Sequence, residues 1–197
     1  MDAKAVAKAK TRLRVARKAL DELPGCADYD DFNDTWYTFL VAAKNVYTVL
    51  EQGAKTSSQS LQWFGGVKRF RKDDELLQYL FEARNDDEHG LGSSTEHVPG
   101  ALAIGVARDG YSRAMRINGS TGPGGVLNVE SLDGKPVLIE RTLPHIRLIG
   151  VQARGNRTIA PPTMHRGSKL TDASPLNVAT LGLAYLAELV VQAEARG

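Results

Sequence analysis

A single cysteine, Cys26, in 197 residues excludes an intramolecular disulfide framework. No CxxC pair and no Cys/His pattern offers a ligand set for structural zinc, so the reading is a chain of a reducing compartment, the cytoplasm, with no metal or cofactor. Apolar runs are short as well. None reaches the roughly 20 residues of a membrane span, so no membrane partner is expected. The basic, Ala-rich start "MDAKAVAKAKTRLRVARKAL" lacks the continuous apolar stretch of a signal peptide and runs on with helical spacing. Histidine is scarce at four, and the net charge of +2 identifies no partner. What remains, 42% hydrophobic and 24% charged, is the composition of one globular domain or of one domain with a sizeable insertion.

The charge is nevertheless sorted into blocks. Residues 1–20 hold seven Lys/Arg against Asp2, and residues 21–40 hold six acids and no base. Residues 41–72 return to six bases against Glu51, and residues 73–90 hold seven acids against Arg84. Such blocks are typical of solvated helix faces that dock on one another. One of them also fits a nucleic-acid footprint: in "VKRFRK", Lys68, Arg69, Arg71 and Lys72 bracket Phe70 as candidate substrate-binding residues.

Hydrophobic spacing divides the chain into an α+β fold. Val6, Ala9, Leu13, Ala16, Leu20 and Leu23 form one helical stripe, stopped at Pro24 and Gly25. Trp36, Phe39, Ala43, Val46 and Leu50 form a second, with Asp31, Asn33 or Asp34 as cap and Gly53 as end. "GAKTSSQSLQWFGG" reads as a Ser-rich loop carrying an apolar plug. A third helix opens at "KDDELL" and ends near Gly90, with Leu76, Leu77, Leu80 and Phe81 facing inward. A last helix starts at Ser174 and Pro175 and is apolar on two sides, so it is expected to complete a four-helix bundle or to form a dimer contact.

Between these helices the period becomes strand-like. Asp109-Gly110 and Asp133-Gly134 each sit between apolar runs and predict two hairpins, and Gly155-Asn156 predicts a third. The expectation is one antiparallel sheet of about five or six strands, with the strand at Pro136 on an edge or starting there. The division is thus 1–97 for the first three helices, 98–173 for an inserted sheet and 174–197 for the closing helix. "STGPGG", 120–125, resembles a phosphate loop only superficially, because it lacks the lysine and the helix that a nucleotide cradle needs.

The densest charge cluster is "ARNDDEHG", 83–90. On a continuous helix Arg84 and His89 point roughly 140° apart, so both reach one ligand only if the helix ends between them, and Gly90 offers that ending. A helix C-terminus and Asp86, Asp87 and Glu88 would favour imidazolium at His89, poising it for proton transfer near neutral pH. A histidine that moves protons and an arginine on the phosphorane-like transition state suffice to cleave RNA through its own 2′-hydroxyl, a chemistry that requires no metal. Against this stand plainer readings: a salt bridge for Arg84, a helix cap for His89, or a metal set of Asp86, Glu88, His89 and His97, disfavoured because consecutive helical acids diverge. His145 falls among the strands. "PPTMHRG" reads as a rigid connector, with His165 and Arg166 as distant candidates for an RNA path.

"RNDDEH" resembles the signature of the HEPN superfamily, helical domains in which an arginine, a polar residue and further intervening residues precede a histidine. Arg84, Asn85 and His89 occupy those positions, and the aromatic-rich helix "WYTFLVAAKNVYTVLE" and the Leu-rich helix after it fit the upstream pattern. The resemblance covers residues 1–90 and extends to the last helix. It implies a metal-independent endoribonuclease, homodimeric, with Arg84, Asn85 and His89 at a site shared across a twofold axis. Toxins with antitoxin partners, phage-defence proteins and RNA-processing factors belong to this superfamily. It equally admits an inactive domain that binds RNA, nucleotide or protein. The strand segment departs from the minimal family pattern.

Overall fold

The structure, a computed structural model, describes residues 1–89, 92–105, 107–120, 124–153, 155 and 157–197; the side chains of Glu88 and His89 lie outside that description. It is a mixed α+β chain of two compact units, residues 1–97 with 146–197, and residues 98–145.

The first unit is built on helices. α1 (Ala3–Glu22) starts on Asp2, whose carboxylate accepts the N–H groups of Lys4 at 2.7 Å and Ala5 at 3.4 Å. A 3-10 turn at Leu23–Gly25 leads to α2 (Tyr29–Ala54), capped by Asp28. The Asp2 N–H bonds the Gly53 carbonyl, so the start of α1 lies beside the end of α2 and the pair is antiparallel. There the helices nearly touch: a Cβ on Gly53 would sit 2.4 Å from the Ala5 Cβ. Trp36, Phe39, Leu40, Val46 and Leu50 are buried along α2, as the spacing predicts.

The segment read as a loop is a helix, α3 (Ser58–Asp73). Ser57 caps it by accepting the Ser60 N–H at 3.2 Å, and Ser60, Phe64 and Val67 form a buried stripe at helical spacing. The serines that suggested irregular chain include its cap. α4 (Glu75–His89) follows after Asp74, whose side chain accepts the Leu77 N–H at 3.0 Å. α5 (Pro175–Glu194) begins at the Ser174 cap. Its Gly182 lets Leu80 of α4 approach: a Cβ there would lie 2.4 Å from Leu80 Cδ1. Contrary to the expectation of no spanning run, α5 is long and apolar enough by length and composition to cross a membrane. Half of its apolar window is buried inside the protein.

The expected sheet of five or six strands is instead five two-stranded antiparallel pairs among the described residues. In the first unit, β6 (His145–Leu148) pairs with β1 (Thr95–Val98) as the chain returns at Ile146. β7 (Val151–Ala153) pairs with β8 (Arg157–Ile159), and β9 (Met164–His165) with β10 (Ser168–Lys169). Leu148 and Val151 belong to the helical core, so the chain from 146 onward packs with the helices and the second unit is shorter than the 98–173 insertion read from spacing.

The second unit is one ribbon with nested pairing. β2 (Ala101–Ile104) pairs with β5 (Ile139–Thr142), and β3 (Met115–Gly119) pairs inside it with β4 (Leu127–Ser131). Gly110 and Gly134 do adopt positive φ, +89° and +72°, but neither turn joins the strands beside it. The reason is that the ladder runs through: Gly105 N–H bonds Leu138 O, Ser112 N–H bonds Pro136 O, and Leu132 N–H bonds Ala114 O. The Asp-Gly pairs therefore turn irregular segments midway along the ribbon, while reversal occurs between Gly119 and Leu127. Residues 121–123 of "STGPGG" lie outside the described residues.

Candidate functional site

Three aromatic side chains bring the segment after α4 back across the bundle. The Trp36 indole donates to Ser94 Oγ at 2.8 Å, and the Tyr29 hydroxyl donates to the Thr95 carbonyl at 2.6 Å. The Tyr79 hydroxyl lies 3.0 Å from the Ser94 carbonyl and 2.7 Å from that of Ile149. Burial, opposed only by that hydrogen bond, pushes its pKa well above the ordinary tyrosine value, so it stays a donor. Asp86 of α4 accepts the Gln152 N–H at 2.9 Å and fixes β7 beside the helix. Between these walls runs an open cleft of about 1250 Å³.

Gln78, Phe81, Glu82 and Asn85 of α4 line the cleft at helical spacing, and Lys44 of α2, Arg71 and Lys72 of α3 and Arg157 of β8 bring four cations to it. The Arg71 guanidinium lies 3.5 Å from the centroid of the Phe81 ring, with Tyr47 at 5.6 Å. Burial lowers its pKa, with Tyr47, Glu82 and Glu51 opposing; an arginine remains charged in this setting. Lys44 Nζ donates to Asn85 Oδ1 at 2.6 Å, and Asn85 Nδ2 donates to Glu82 at 3.0 Å, which fixes the amide orientation. Four cations against Glu82 and Asp86, with an aromatic ring under one of them, suit an anion that carries flat rings. Burial, and Asp86 beside it, hold the Asp87 carboxyl above its usual range.

The residues singled out in the sequence are only partly brought together. Asn85, Arg71 and Lys72 line the cleft. Lys68 does not; it pairs with Glu51 at 2.7 Å on the exposed surface, and Arg69 is exposed away from the cleft. Arg84 is half-buried, its Nε is buried, and it follows Leu77 and Leu80 along the stripe that faces the core. The helix does not end between Arg84 and His89: α4 is regular through His89, so the two positions stay roughly 140° apart about the axis. Gly90, which was read as the ending, lies outside the described residues. His89 stands on α4 four residues after Asn85, and its side chain lies outside the description.

Lys44 and Arg157 were missed. A lone lysine in the apolar stretch "VAAKNV" was the available signal for Lys44; nothing local marks Arg157, which arrives through the β7–β8 pair. The other histidines stand elsewhere. His97 is exposed beside the Tyr29 ring, at 6.1 Å, and His145 lies in the second unit. His165 is buried with Nδ1 3.0 Å from Asp74, and Arg166 binds Glu188 through both terminal nitrogens, so "PPTMHRG" is a clamp onto α4 and α5. Among the described residues no group of three or more His, Cys, Asp or Glu is arranged to hold a metal ion. Set against family models, curated proteins and solved structures, the chain returns no match.

Proposed function

We propose that the chain is a HEPN-like domain that binds RNA in the cleft along α4 and cleaves it without a metal. The observation that carries this reading is the cleft along the motif helix, which Asn85 lines among four cations, with His89 one helical turn further on α4. In the proposed reaction the 2′-hydroxyl attacks the adjacent phosphodiester, and His89 either takes the proton of the nucleophile or delivers one to the leaving 5′-oxygen. Arg84 compensates the charge on the phosphorane-like transition state. Lys44, Lys72 and Arg157 hold the phosphate backbone, and Arg71 over Phe81 offers a face on which a base stacks. As the superfamily resemblance implies, two copies share the site, and a toxin or phage-defence role with a protein antidote follows from the same resemblance.

A second reading has its own support. Arg84 and His89 are about 140° apart on an unbroken helix and Arg84 faces the core, which favours an inactive HEPN-like domain that binds RNA or a protein. Binding and cleavage separate the two readings. Fluorescence anisotropy with labelled single-stranded RNA should show binding that Lys72→Glu and Arg157→Glu each weaken at least about tenfold, because each reverses a charge lining the cleft. Unchanged affinity in both variants refutes the cleft as the RNA site. Binding without cleavage selects the inactive domain.

A further inference from the structure

Two carboxylates line the cleft, Glu82 and Asp86, and they are not equivalent. Asp86 accepts the Gln152 N–H at 2.9 Å and so holds β7 against α4. Glu82 holds no main-chain group. Among the described residues its one hydrogen-bond partner is Asn85 Nδ2, 3.0 Å from Oε2, and no ion pair holds it although four cations line the same cleft. A carboxylate has about four lone-pair positions, so Glu82 keeps Oε1 and part of Oε2 for a ligand. The acid is also fixed beside a stacking surface. Lys44 Nζ donates to Asn85 Oδ1 at 2.6 Å, which turns Asn85 Nδ2 toward Glu82, and the same Nζ stands 5.1 Å from the centroid of the Phe81 ring. The Arg71 guanidinium lies 3.5 Å from that centroid. One helical turn before Glu82, Gln78 lines the cleft with a side-chain amide that makes no hydrogen bond among the described residues, which places a donor next to the acceptor.

We propose that Glu82 selects an unpaired guanine: its carboxylate accepts N1–H and N2–H of a guanine stacked on the Arg71–Phe81 pair, and the Gln78 amide donates to O6. The proposal rests on the reading of the cleft as an RNA site. Hydrogen-bond chemistry singles out this base. Guanine is the one RNA base whose Watson–Crick edge offers two adjacent N–H donors, the pattern that a carboxylate accepts as a fork. Uracil offers one donor between two carbonyl oxygens, and adenine and cytosine each set a bare ring nitrogen beside the amino group. Those three edges therefore bring a lone pair against a charged oxygen, which rejects them as well as failing to bind. Against a phosphate the same acid is only repulsive. A base edge is thus the part of a single strand that gains from Glu82, and the edge must be unpaired to be read.

The test is fluorescence anisotropy on the full chain with labelled oligouridylates that carry one central guanosine, inosine, adenosine or cytidine. A 2′-fluoro backbone removes the attacking hydroxyl, so binding is read without cleavage. The wild type is expected to bind the guanosine oligomer at least about tenfold more tightly than the adenosine, cytidine or all-uridine ones, with inosine, which lacks the N2 amino group, in between. Glu82→Gln keeps an acceptor for Asn85 and removes the charge. It is expected to abolish the guanosine preference and to bind plain oligouridylate at least as tightly as the wild type. Equal affinity of the wild type for all the oligomers, or a guanosine preference that Glu82→Gln retains, overturns the proposal and leaves the RNA cleft standing. Binding of no oligomer overturns the RNA cleft, and the proposal with it. Should the variant lose all binding, the wild type decides: inosine bound as tightly as guanosine overturns the proposal.

Discussion

Replacing Asp74 with alanine would remove three bonds that the structure concentrates on one carboxylate. Asp74 accepts the Leu77 N–H at 3.0 Å as the cap of α4, the Arg166 N–H at 2.8 Å and His165 Nδ1 at 3.0 Å. It is nearly inaccessible, and so is His165. Loss of a helix cap costs about 1 kcal/mol. The buried imidazole and the Arg166 N–H, left without an acceptor, add about 1–3 kcal/mol more. The expected destabilisation is therefore about 2–4 kcal/mol, measured by urea unfolding followed through the fluorescence of buried Trp36. Asp74→Asn keeps one acceptor oxygen and should lose about half as much. The pH dependence has a definite sign. Burial raises the Asp74 pKa, but the N–H groups of Arg166 and Leu77 and the His165 ring outweigh it and hold the carboxyl below its ordinary value. Its contribution is fully present above about pH 4 and is lost as pH falls through the lower folded-state value. Asp74→Ala should flatten that acid limb. A loss below about 1 kcal/mol, or an unchanged acid limb, would refute the clamp.

Gly53→Ala adds a Cβ that would lie 2.4 Å from the Ala5 Cβ. It should destabilise by about 1–3 kcal/mol despite the better helix propensity of alanine, and Ala5→Gly in the same chain should recover part of the loss in a double-mutant cycle. A stabilising Gly53→Ala would show that α1 and α2 do not approach so closely. In the cleft, Lys44→Ala and Lys72→Ala should each lower the slope of log affinity for single-stranded RNA against log salt by about 0.7, provided each cation meets a phosphate. Phe81→Ala removes the ring under Arg71 and should weaken RNA binding with little change in that slope, since it removes stacking and no charge.

How much of this was legible depended on whether the signal was local. The stripes of α1, α2, α4 and α5 follow from spacing that any helix must obey, and the Ser174-Pro175 start is visible as such. α3 was hidden because Ser57, Ser60 and the Gly65-Gly66 pair resemble a loop, although Phe64 and Val67 keep helical register with Ser60. The ribbon was misread for a different reason. An Asp-Gly pair specifies a turn, not the partner of the strand that follows, and ladder bonds far from each turn chose the nested pairing. At the site, Arg71 and Lys72 stood out as a basic cluster at a helix end. Lys44 and Arg157 reach the cleft only through the packing of α2 and β8, and the unbroken run of α4 past Arg84 was not readable from a glycine at position 90.

The proposed metal-independent ribonuclease site at the C-terminal end of α4 is best tested by cleavage of mixed structured and single-stranded RNAs in excess chelator. The wild type would be compared with His89→Ala, and the products assayed for 2′,3′-cyclic phosphate ends. Chelator-resistant cleavage that leaves those ends and falls by at least about 100-fold in the variant is expected. Cleavage of equal rate in His89→Ala, or none by a folded protein that binds the same RNAs, would contradict it.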